Sequence, residues 1–485
     1  MAATNKTAEG SKAHERKRVV VIGSGISGIS AARHLQRHGG FDVVVLEGRQ
    51  DRYGGRIRTD TKSFTNNAAV DLGASFIHGS CQKHPITKLR DQFEIETVTA
   101  DYFYQSKTFD GETGAPIGST KLLYNFAKFA YNERKVRQAG QRLHQDTSIK
   151  EVVEETGLMP WMTTPIGIMF RLASWDYAFA SNYDQVSAKL MDTRDSISGS
   201  EEIFPDGYKQ ILSRLVDGDE KRPPLKIIYN AIVSRVSYSD DDDSVLVMTD
   251  DGTEYAADCV LITASLGVLK AGDIAFDPPL DSEREAAIKR VGFGTVNKIV
   301  LEFDKPFWSD THSFDMTPKS DSPKDVMMVF WINMMTLAGK PIIMSFLGGE
   351  AGLLSETMSE NELKELALSR LKTVFGEESV NNSKLVSMVR TKWKEDPFSK
   401  GSYSFPAVGQ KADDFHTLGK PIGRLVHFAG EHTSLKFWGT VHGAYNSGLR
   451  AANEIIGNYF PADRSSSSEE EKGENSHSGF SCTIS

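Results

Sequence analysis

An α/β protein of at least two lobes is what this sequence predicts, and three observations carry that reading. The first is length. At 485 residues the chain exceeds one ordinary core and suggests roughly two or three lobes of about 150 residues each. The second is a strand–glycine–helix–strand run near the N-terminus. The third is a set of further apolar strands and helices spread along the rest of the chain.

The run near the N-terminus begins with Val19-Val20-Val21-Ile22, a β-branched apolar stretch that reads as a buried parallel strand. Gly23, Gly25 and Gly28 follow. A helix then presents Ile29, Ala32 and Leu35 on one face and stops at Gly39-Gly40. Val43-Val44-Val45-Leu46 is the second strand, and Glu47 closes it. Such a βαβ unit of about 30 residues opens a doubly wound, dinucleotide-binding fold.

Ser119 to Gly140 and Thr147 to Gly157 read as helices. The acidic, serine-rich stretch from Asp192 to Glu202 reads as an exposed loop. Leu225 to Tyr238 and Ser244 to Thr249 read as strands around the turn Asp240 to Asp243. A second turn follows at Asp250-Asp251-Gly252, then a buried strand at Cys259 to Ile262. Lys298 to Phe303 alternates like a strand, and Asn361 to Val374 is an amphipathic helix. His427-Phe428-Ala429 is a short strand running into Gly430, and Gly443 to Ile456 is the last helix. After Phe460 the sequence SSSSEEEKGENSHSG cannot bury a core, so residues 463–485 are expected to be disordered.

Composition narrows the function classes. Hydrophobic residues make up 39% and charged residues 25%, the balance of a soluble globular protein. No apolar run reaches the roughly 20 residues of a membrane span, and the polar N-terminus lacks the apolar segment of a secretory signal. Cys81, Cys259 and Cys482 make no disulfide framework and no CxxC pair, so neither an oxidising compartment nor a metal site is expected. The net charge of −9 argues against a nucleic-acid surface and suits a small cationic partner, although solubility alone also accounts for it.

Gly23-Ser24-Gly25-Ile26-Ser27-Gly28 is the GxGxxG fingerprint, placed between a strand and a helix as a dinucleotide site requires. Its glycines give the tight turn, the close approach of pyrophosphate and the close packing of helix on strand, while the helix N-terminus faces the phosphates. Glu47 stands where a ribose hydroxyl needs an acceptor. Gly48-Arg49 then leads to Gly54-Gly55-Arg56, whose amides and guanidinium suit a pyrophosphate. A nicotinamide dehydrogenase has no need of that second element.

This second element resembles the GGR segment of the flavin amine oxidase superfamily, and further blocks extend the resemblance from about Arg18 to Asn458. Asp71 to Gly79, with Gly73, Ala74 and Ser75, resembles the segment beside the isoalloxazine ring. Ile232 to Val236, with Val233, resembles the strand that meets the adenine half of FAD. Gly292 to Ile299 resembles the segment bearing the flavin-facing lysine, here Lys298. Trp393 and Gly401-Ser402-Tyr403-Ser404 resemble the aromatic wall. Phe428 to Thr433, with Gly430 and Glu431, and Gly439 to Ala444, with Thr440 and Val441, resemble the C-terminal FAD segment. Several ordered blocks are more specific than any one of them.

The resemblance implies FAD held non-covalently, because Ser402 stands where monoamine oxidases carry a flavin-linking cysteine. It implies that Lys298 holds a water against flavin N5 and assists reoxidation by O2; burial, which lowers a lysine pKa, suits that role. It casts Tyr403 and Trp393 as walls that attract a cationic chain through their ring faces. Thr440 replaces the second tyrosine of monoamine oxidases, as in spermine oxidases and histone lysine demethylases. His78 lies near the expected substrate channel, where it either bonds a substrate nitrogen or is structural. Asp184, Asp192, Asp195, Glu201 and Glu202 are acidic candidates for the channel mouth.

The expected architecture is a Rossmann-like FAD-binding domain from residues 15–95, 205–295 and 395–462, and a substrate domain of mixed sheet and helices from 96–204 and 296–394. The expected activity is FAD-dependent oxidation of a secondary amine in spermine, spermidine or an N-acetyl derivative. It gives an aldehyde, a smaller amine and hydrogen peroxide. A histone lysine demethylase of the same superfamily is the runner-up, and a flavin-bound interaction protein without turnover is the third reading. The expected location is the cytoplasm. The final Cys482-Thr483-Ile484-Ser485 fits a CaaX pattern and raises farnesylation of Cys482 with weak membrane association. Thr483 is not aliphatic and the preceding residues are acidic, both of which count against it. The sequence leaves oligomeric state open.

Overall fold

A computed structural model describes residues 16–461 apart from positions 103 and 240. The expected disordered tail at 463–485 and the CaaX cysteine Cys482 lie outside the described residues.

The apolar run at the N-terminus forms the strand Lys17–Ile22 in the middle of a five-stranded parallel sheet. Phe41–Leu46 and then Ile227–Ile228 lie on one side of it, Cys259–Ile262 and then Val426–Phe428 on the other. The period of two sends alternate residues to opposite faces. Val19 and Val21 pack with Ile29 and Leu35 of the helix Ile26–His38 and with Ala451, Ala452 and Ile455 of the last helix, Val441–Tyr459. Val20 and Ile22 pack instead with Val236 and Val247. Those belong to a four-stranded sheet made of Glu254–Ala257, Ser244–Thr249, Val233–Ser239 and Ala275–Asp277. A parallel sheet covered on both faces needs apolar strands throughout, as observed.

The second large sheet has six strands in the order Leu385–Arg390, Val296–Phe303, Ile342–Gly348, Phe330–Asn333, Ser313–Met316 and Ser106–Phe109. Its pairings are antiparallel except the last, so the sheet is mixed. One face carries Ile299, Leu301, Phe314, Trp331 and Ile343 and is covered by Leu363, Ala367 and Leu371 of the helix Glu360–Phe375. A capping box on Ser359 starts that helix: its hydroxyl accepts from Glu362 N–H, and the Glu362 carboxylate accepts from Ser359 N–H. The opposite face carries Val300, Ile332 and Met344, packed with Leu72 and Ile203. The molecule is thus an α/β protein with a parallel sheet of Rossmann-like order, covered by helices on one face and by the four-stranded sheet on the other rather than by helices on both, and a second, mixed sheet with helices.

Two sequence-based expectations are corrected. The strand expected over Leu225 to Tyr238 is two strands in different sheets, Ile227–Ile228 and Val233–Ser239. Asn230 separates them in a left-handed conformation, φ 56°, which asparagine tolerates better than most residues. The end of the loop expected over Asp192 to Glu202 is a strand, Ser200–Ile203, between Phe76–Ser80 and Val98–Thr99. The strand expected at Lys298 to Phe303 is present as Val296–Phe303, with Asn297 to Phe303 all buried. Glu302 fits that interior because its carboxylate accepts the Thr65 N–H at 3.1 Å.

Candidate active site

The first part of the site is a cradle at the C-terminal end of the parallel sheet. Lys17–Ile22 ends in Gly23, which adopts φ 99°, a left-handed turn that favours glycine. The chain then enters the helix at Ile26 and Ser27. A Cβ on Gly28 would stand 2.1 Å from the Gly23 carbonyl oxygen, so only glycine lets the helix start this close to the strand. Gly25, the N-cap, makes no side-chain cap, and a Cβ there would meet nothing within 4 Å. The first amides of a 13-residue helix therefore face open space, the arrangement that receives an anion.

The second glycine element folds against the first. Gly54 N–H donates to Ser24 O at 2.8 Å, and Gly25 and Gly54 form a parallel bridge. Gly55 stands so close that its Cβ would lie 3.5 Å from Gly25 Cα. Guanidinium groups gather nearby. Arg49 bonds Asp396 at 2.6 Å, yet its Nε is buried without a partner, as is Nη2 of Arg52. Burial, with Arg49 and Arg58 close by, pushes Arg52 down to about 10. Crowded cations with spare N–H groups beside uncapped helix amides are the complement of a diphosphate. The residues present therefore fit the pyrophosphate of FAD.

Glu47, buried at the end of Phe41–Leu46, accepts from Ser24 N at 3.1 Å, from the Ser24 hydroxyl and from Arg49 N at 2.9 Å. Its carboxylate thus ties Gly48-Arg49 to the glycine loop and keeps acceptor capacity for a ribose hydroxyl. Asn230 N–H donates to Arg49 O and Ala231 N–H to Glu47 O, which brings the segment leading to Val233 alongside.

The cradle closes with the C-terminal segment. Gly430 leads into Glu431, a fully buried carboxylate bonded by Arg56 Nη1 at 2.8 Å, Ser404 Oγ at 2.5 Å and Gly439 N at 2.8 Å. Burial would raise its pKa, but Arg56, His432 and Ser404 outweigh that and hold it below the ordinary value. Arg56 also donates to Ser402 O at 2.8 Å. Thr440 is the N-cap of Val441–Tyr459: its Oγ1 accepts from Gly443 N at 3.0 Å. That helix starts beside a buried histidine pair, His84 Nε2 to His442 Nδ1 at 3.2 Å. Burial lowers them to about 4 and about 3, so both rings stay neutral at pH 7.

The second part of the site is a face of the mixed sheet. Lys298 is 5% exposed. Its Nζ donates to Asp71 O at 2.8 Å, to Gly73 O at 2.7 Å and to Ser75 Oγ. The ammonium is thereby held on the segment Gly73-Ala74-Ser75. Burial lowers Lys298 to about 8, with Asp71 pulling it partly back, which makes proton exchange near neutral pH accessible. Its Nζ also lies 5.4 Å from the centroid of Phe346.

Tyr403 is half-buried in a short strand paired with Gly292–Gly294. Its hydroxyl donates to the carbonyl of Tyr177. Tyr177 stands 5.5 Å from Phe330 and 6.2 Å from Phe346, ring to ring. Arg194 borders the same corner, with Nη1 donating to Ala178 O at 3.2 Å and its guanidinium 4.7 Å over Trp438. Trp393 is buried, its backbone N–H donating to Asn297 Oδ1 at 2.9 Å and its backbone carbonyl accepting from Gly401 N–H.

His78 is on the outside, with 64% of its side chain exposed; Nδ1 pairs with Glu201 at 2.6 Å and the ring lies 5.5 Å from Phe76. Of the acidic candidates, Asp192 pairs with Arg137, Asp195 with Lys436 and Glu202 with Arg90, while Asp184 is exposed. Sequence reasoning missed Tyr177, Phe330, Phe346, Arg194 and the His84–His442 pair. No motif marks them; they meet only through sheet register and packing. Among the described residues, no group of three or more His, Cys, Asp or Glu is arranged to hold a metal ion, and no helix is long and apolar enough to cross a membrane.

Comparison with known proteins gives three kinds of match. A family model described as flavin containing amine oxidoreductase matches residues 26–456. Polyamine oxidase 4 of Oryza sativa subsp. japonica is 32% identical over 461 residues, covering 90% of this chain and 88% of the relative. Lysine-specific histone demethylase 1 homolog 3 of Arabidopsis thaliana is 32% identical over 91% of this chain, which spans 30% of that protein's length. Lysine-specific histone demethylase 2 of Homo sapiens is 30% identical over 92% of this chain, which spans 54% of it.

Proposed function

The chain belongs to the flavin-containing amine oxidoreductase family, and from that premise we propose that it oxidises a secondary amine of a polyamine such as spermine, spermidine or an N-acetyl derivative. The family's cofactor is FAD, its substrates are amines and its electron acceptor is oxygen. The observation that carries the polyamine reading is the face beside Lys298. There, Tyr177, Phe330, Phe346 and Tyr403 are all half-buried, so each is partly accessible rather than sealed in a core. Aromatic faces in a partly desolvated passage attract ammonium groups and accept the methylene segments between them.

When bound, FAD supplies the two-electron acceptor. The protein's own residues hold the amine so that the carbon beside its nitrogen faces that acceptor, and they exclude water. A hydride leaves that carbon with its electron pair. The resulting imine takes up one water and separates into an aldehyde and the smaller amine, and O2 accepts two electrons and two protons to become hydrogen peroxide. Lys298, lowered toward neutral pH, moves a proton at Nζ during that reoxidation. Thr440 caps the last helix, and Ser402 in place of a cysteine leaves FAD non-covalent.

Removal of a methyl group from lysine in a peptide is the second reading, favoured by the equal identity to demethylases. The deciding test is anaerobic mixing of the purified holoprotein with spermine, spermidine, their acetyl forms, a simple monoamine and a methyl-lysine peptide while flavin absorbance is followed. Bleaching by a polyamine and not by the peptide is the expected result. Bleaching by the peptide alone would replace the polyamine reading with the second one. A protein that stays yellow with all of them would favour a scaffold role. We further propose the cytoplasm as its location, with farnesylation of Cys482 checked by intact mass from the native host.

A further inference from the structure

The register of the mixed sheet places four residues in one cross-strand row. Lys298 is directly opposite Phe346. Trp331 is opposite Ser345, so the next step of that antiparallel ladder sets Phe330 across from Phe346. Phe330 is directly opposite Asp315. Residues opposite one another share a face, and Tyr177 proves it for the centre of the row by packing against both phenylalanine rings. The row therefore reads lysine, aromatic, aromatic, aspartate on the face that bears the candidate site.

Asp315 is an unusual residue to find there. Its strand, Ser313–Met316, is otherwise apolar or small, and its neighbours Phe314 and Met316 are fully buried. Among the described contacts, no cation pairs with its carboxylate; its one hydrogen bond comes from Ser106 Oγ at 3.1 Å. Burial with so little compensation pushes it up to about 7. A carboxylate left this way costs stability unless a cation arrives to neutralise it. Asp315 is half-buried, like Phe330, Phe346 and Tyr177, and lies close enough to Tyr177 to act on that phenol electrostatically. At the other corner, Arg194 stands beside Tyr403 and repels a cation. The charge along the face runs from positive beside Tyr403 to negative beside Phe330, and Tyr177 lies between.

We propose that Asp315 is a specificity-determining residue that holds a second ammonium of the substrate, remote from the nitrogen being oxidised. The inference rests on the amine oxidation proposed above and deepens it. Three inter-strand spacings separate Lys298 from Asp315, a backbone distance of about 14 Å. That span suits a flexible di- or polyammonium chain laid over the Phe346 and Phe330 rings, with reaction at the Lys298 end and the anchor at the Asp315 end. A monoamine reaches one end only.

The experiment compares wild type with Asp315→Asn and Asp315→Glu as holoenzymes, with flavin content and thermal unfolding confirming that each is folded. Two quantities are read. One is the ratio of kcat/KM for spermine to that for a secondary monoamine. The other is calorimetric binding of 1,8-diaminooctane, which needs no turnover. Losing a charge-assisted contact is expected to lower the ratio and the diamine affinity by about 10- to 100-fold in Asp315→Asn, chiefly through KM. Asp315→Glu is expected to keep the affinity and favour a shorter diamine, because its carboxylate reaches farther along the row. Equal spermine bleaching and equal diamine binding in wild type and Asp315→Asn would overturn the proposal while leaving polyamine oxidation intact. Diamine binding that depends on Asp315, in a protein that spermine does not bleach, would support the anchor and remove the polyamine reading. No diamine binding by wild type at all would end the proposal.

Discussion

The two halves of the site recognise their ligands by opposite means. The cradle at the parallel sheet works through backbone: uncapped helix amides behind Gly25, glycines that admit close approach, and buried guanidinium N–H groups left without partners. The face of the mixed sheet presents side chains laid across four strands, with charge at the two ends of the row, Lys298 and Asp315. A backbone cradle fits one rigid group and tolerates almost no change. A side-chain face tolerates substitution and can retune its preference. On the function proposed above, the same molecule holds its cofactor by shape and its substrate by spacing and charge.

The sharpest way to break that contrast is Gly28→Val, which sets a branched side chain against the Gly23 carbonyl and Thr263 Oγ1. It is expected to yield protein without flavin colour and with a lowered melting temperature, read from the absorbance of the purified protein and a thermal scan. A colourful, fully active variant would mean that the cradle is looser than its contacts indicate. Next in size is Lys298→Met. It is expected to slow reoxidation of the reduced holoenzyme by O2 about 10²- to 10⁴-fold, the range of a lost proton-transferring group. Stopped-flow mixing with oxygen measures it, and flavin reduction by substrate should change far less.

A pH series sharpens the contrast from the cradle side. His432 and His442 are buried and lowered from 6.5 to about 4 and about 3. In the unfolded chain these rings take up protons as pH falls through 6.5, while the folded protein holds them neutral down to about 4. Protons therefore favour unfolding in that window, and stability is expected to fall by up to about 1.4 kcal/mol per pH unit for each ring. Chemical denaturation between pH 7 and 4 checks it, and His442→Asn should flatten the slope. The smallest effect is expected on the face. Phe346→Leu keeps the bulk of the side chain and loses the ring, which should raise KM for a cationic amine about 2- to 30-fold, the worth of one cation–π contact, with flavin content unchanged. A neutral inhibitor of similar length should bind both forms alike.

This division also explains what the sequence revealed. The cradle is local in the chain: Gly23 to Gly28 and Gly54 to Arg56 are contiguous motifs whose chemistry follows from glycine and arginine alone. The glycine loop, its flanking strands and its helix were accordingly legible. Glu431 and Lys298 were legible through family resemblance, yet their bonds were not: nothing near Arg56 in sequence announces that Glu431, 375 residues away, is its partner. The aromatic row was invisible because register is set by pairing between distant strands, and Ser313–Met316 and Phe330–Asn333 are too short to declare themselves. Asp315 left one trace, a lone acid between apolar neighbours, which without the register reads as a loop.

The parallel sheet draws its edge strand Val426–Phe428 from near the C-terminus, and the helix Val441–Tyr459 covers the opening helix Ile26–His38. In order of synthesis, then, the glycine loop and its first neighbours, Phe41–Leu46 and Gly54, come early, while the edge strand and the covering helix come late. A complete cradle in consequence needs segments from both ends of the folded region at once. A chain cut short before the last helix would leave the flank formed by Val19, Val21, Ile29 and Leu35 without the cover of Ala451, Ala452 and Ile455.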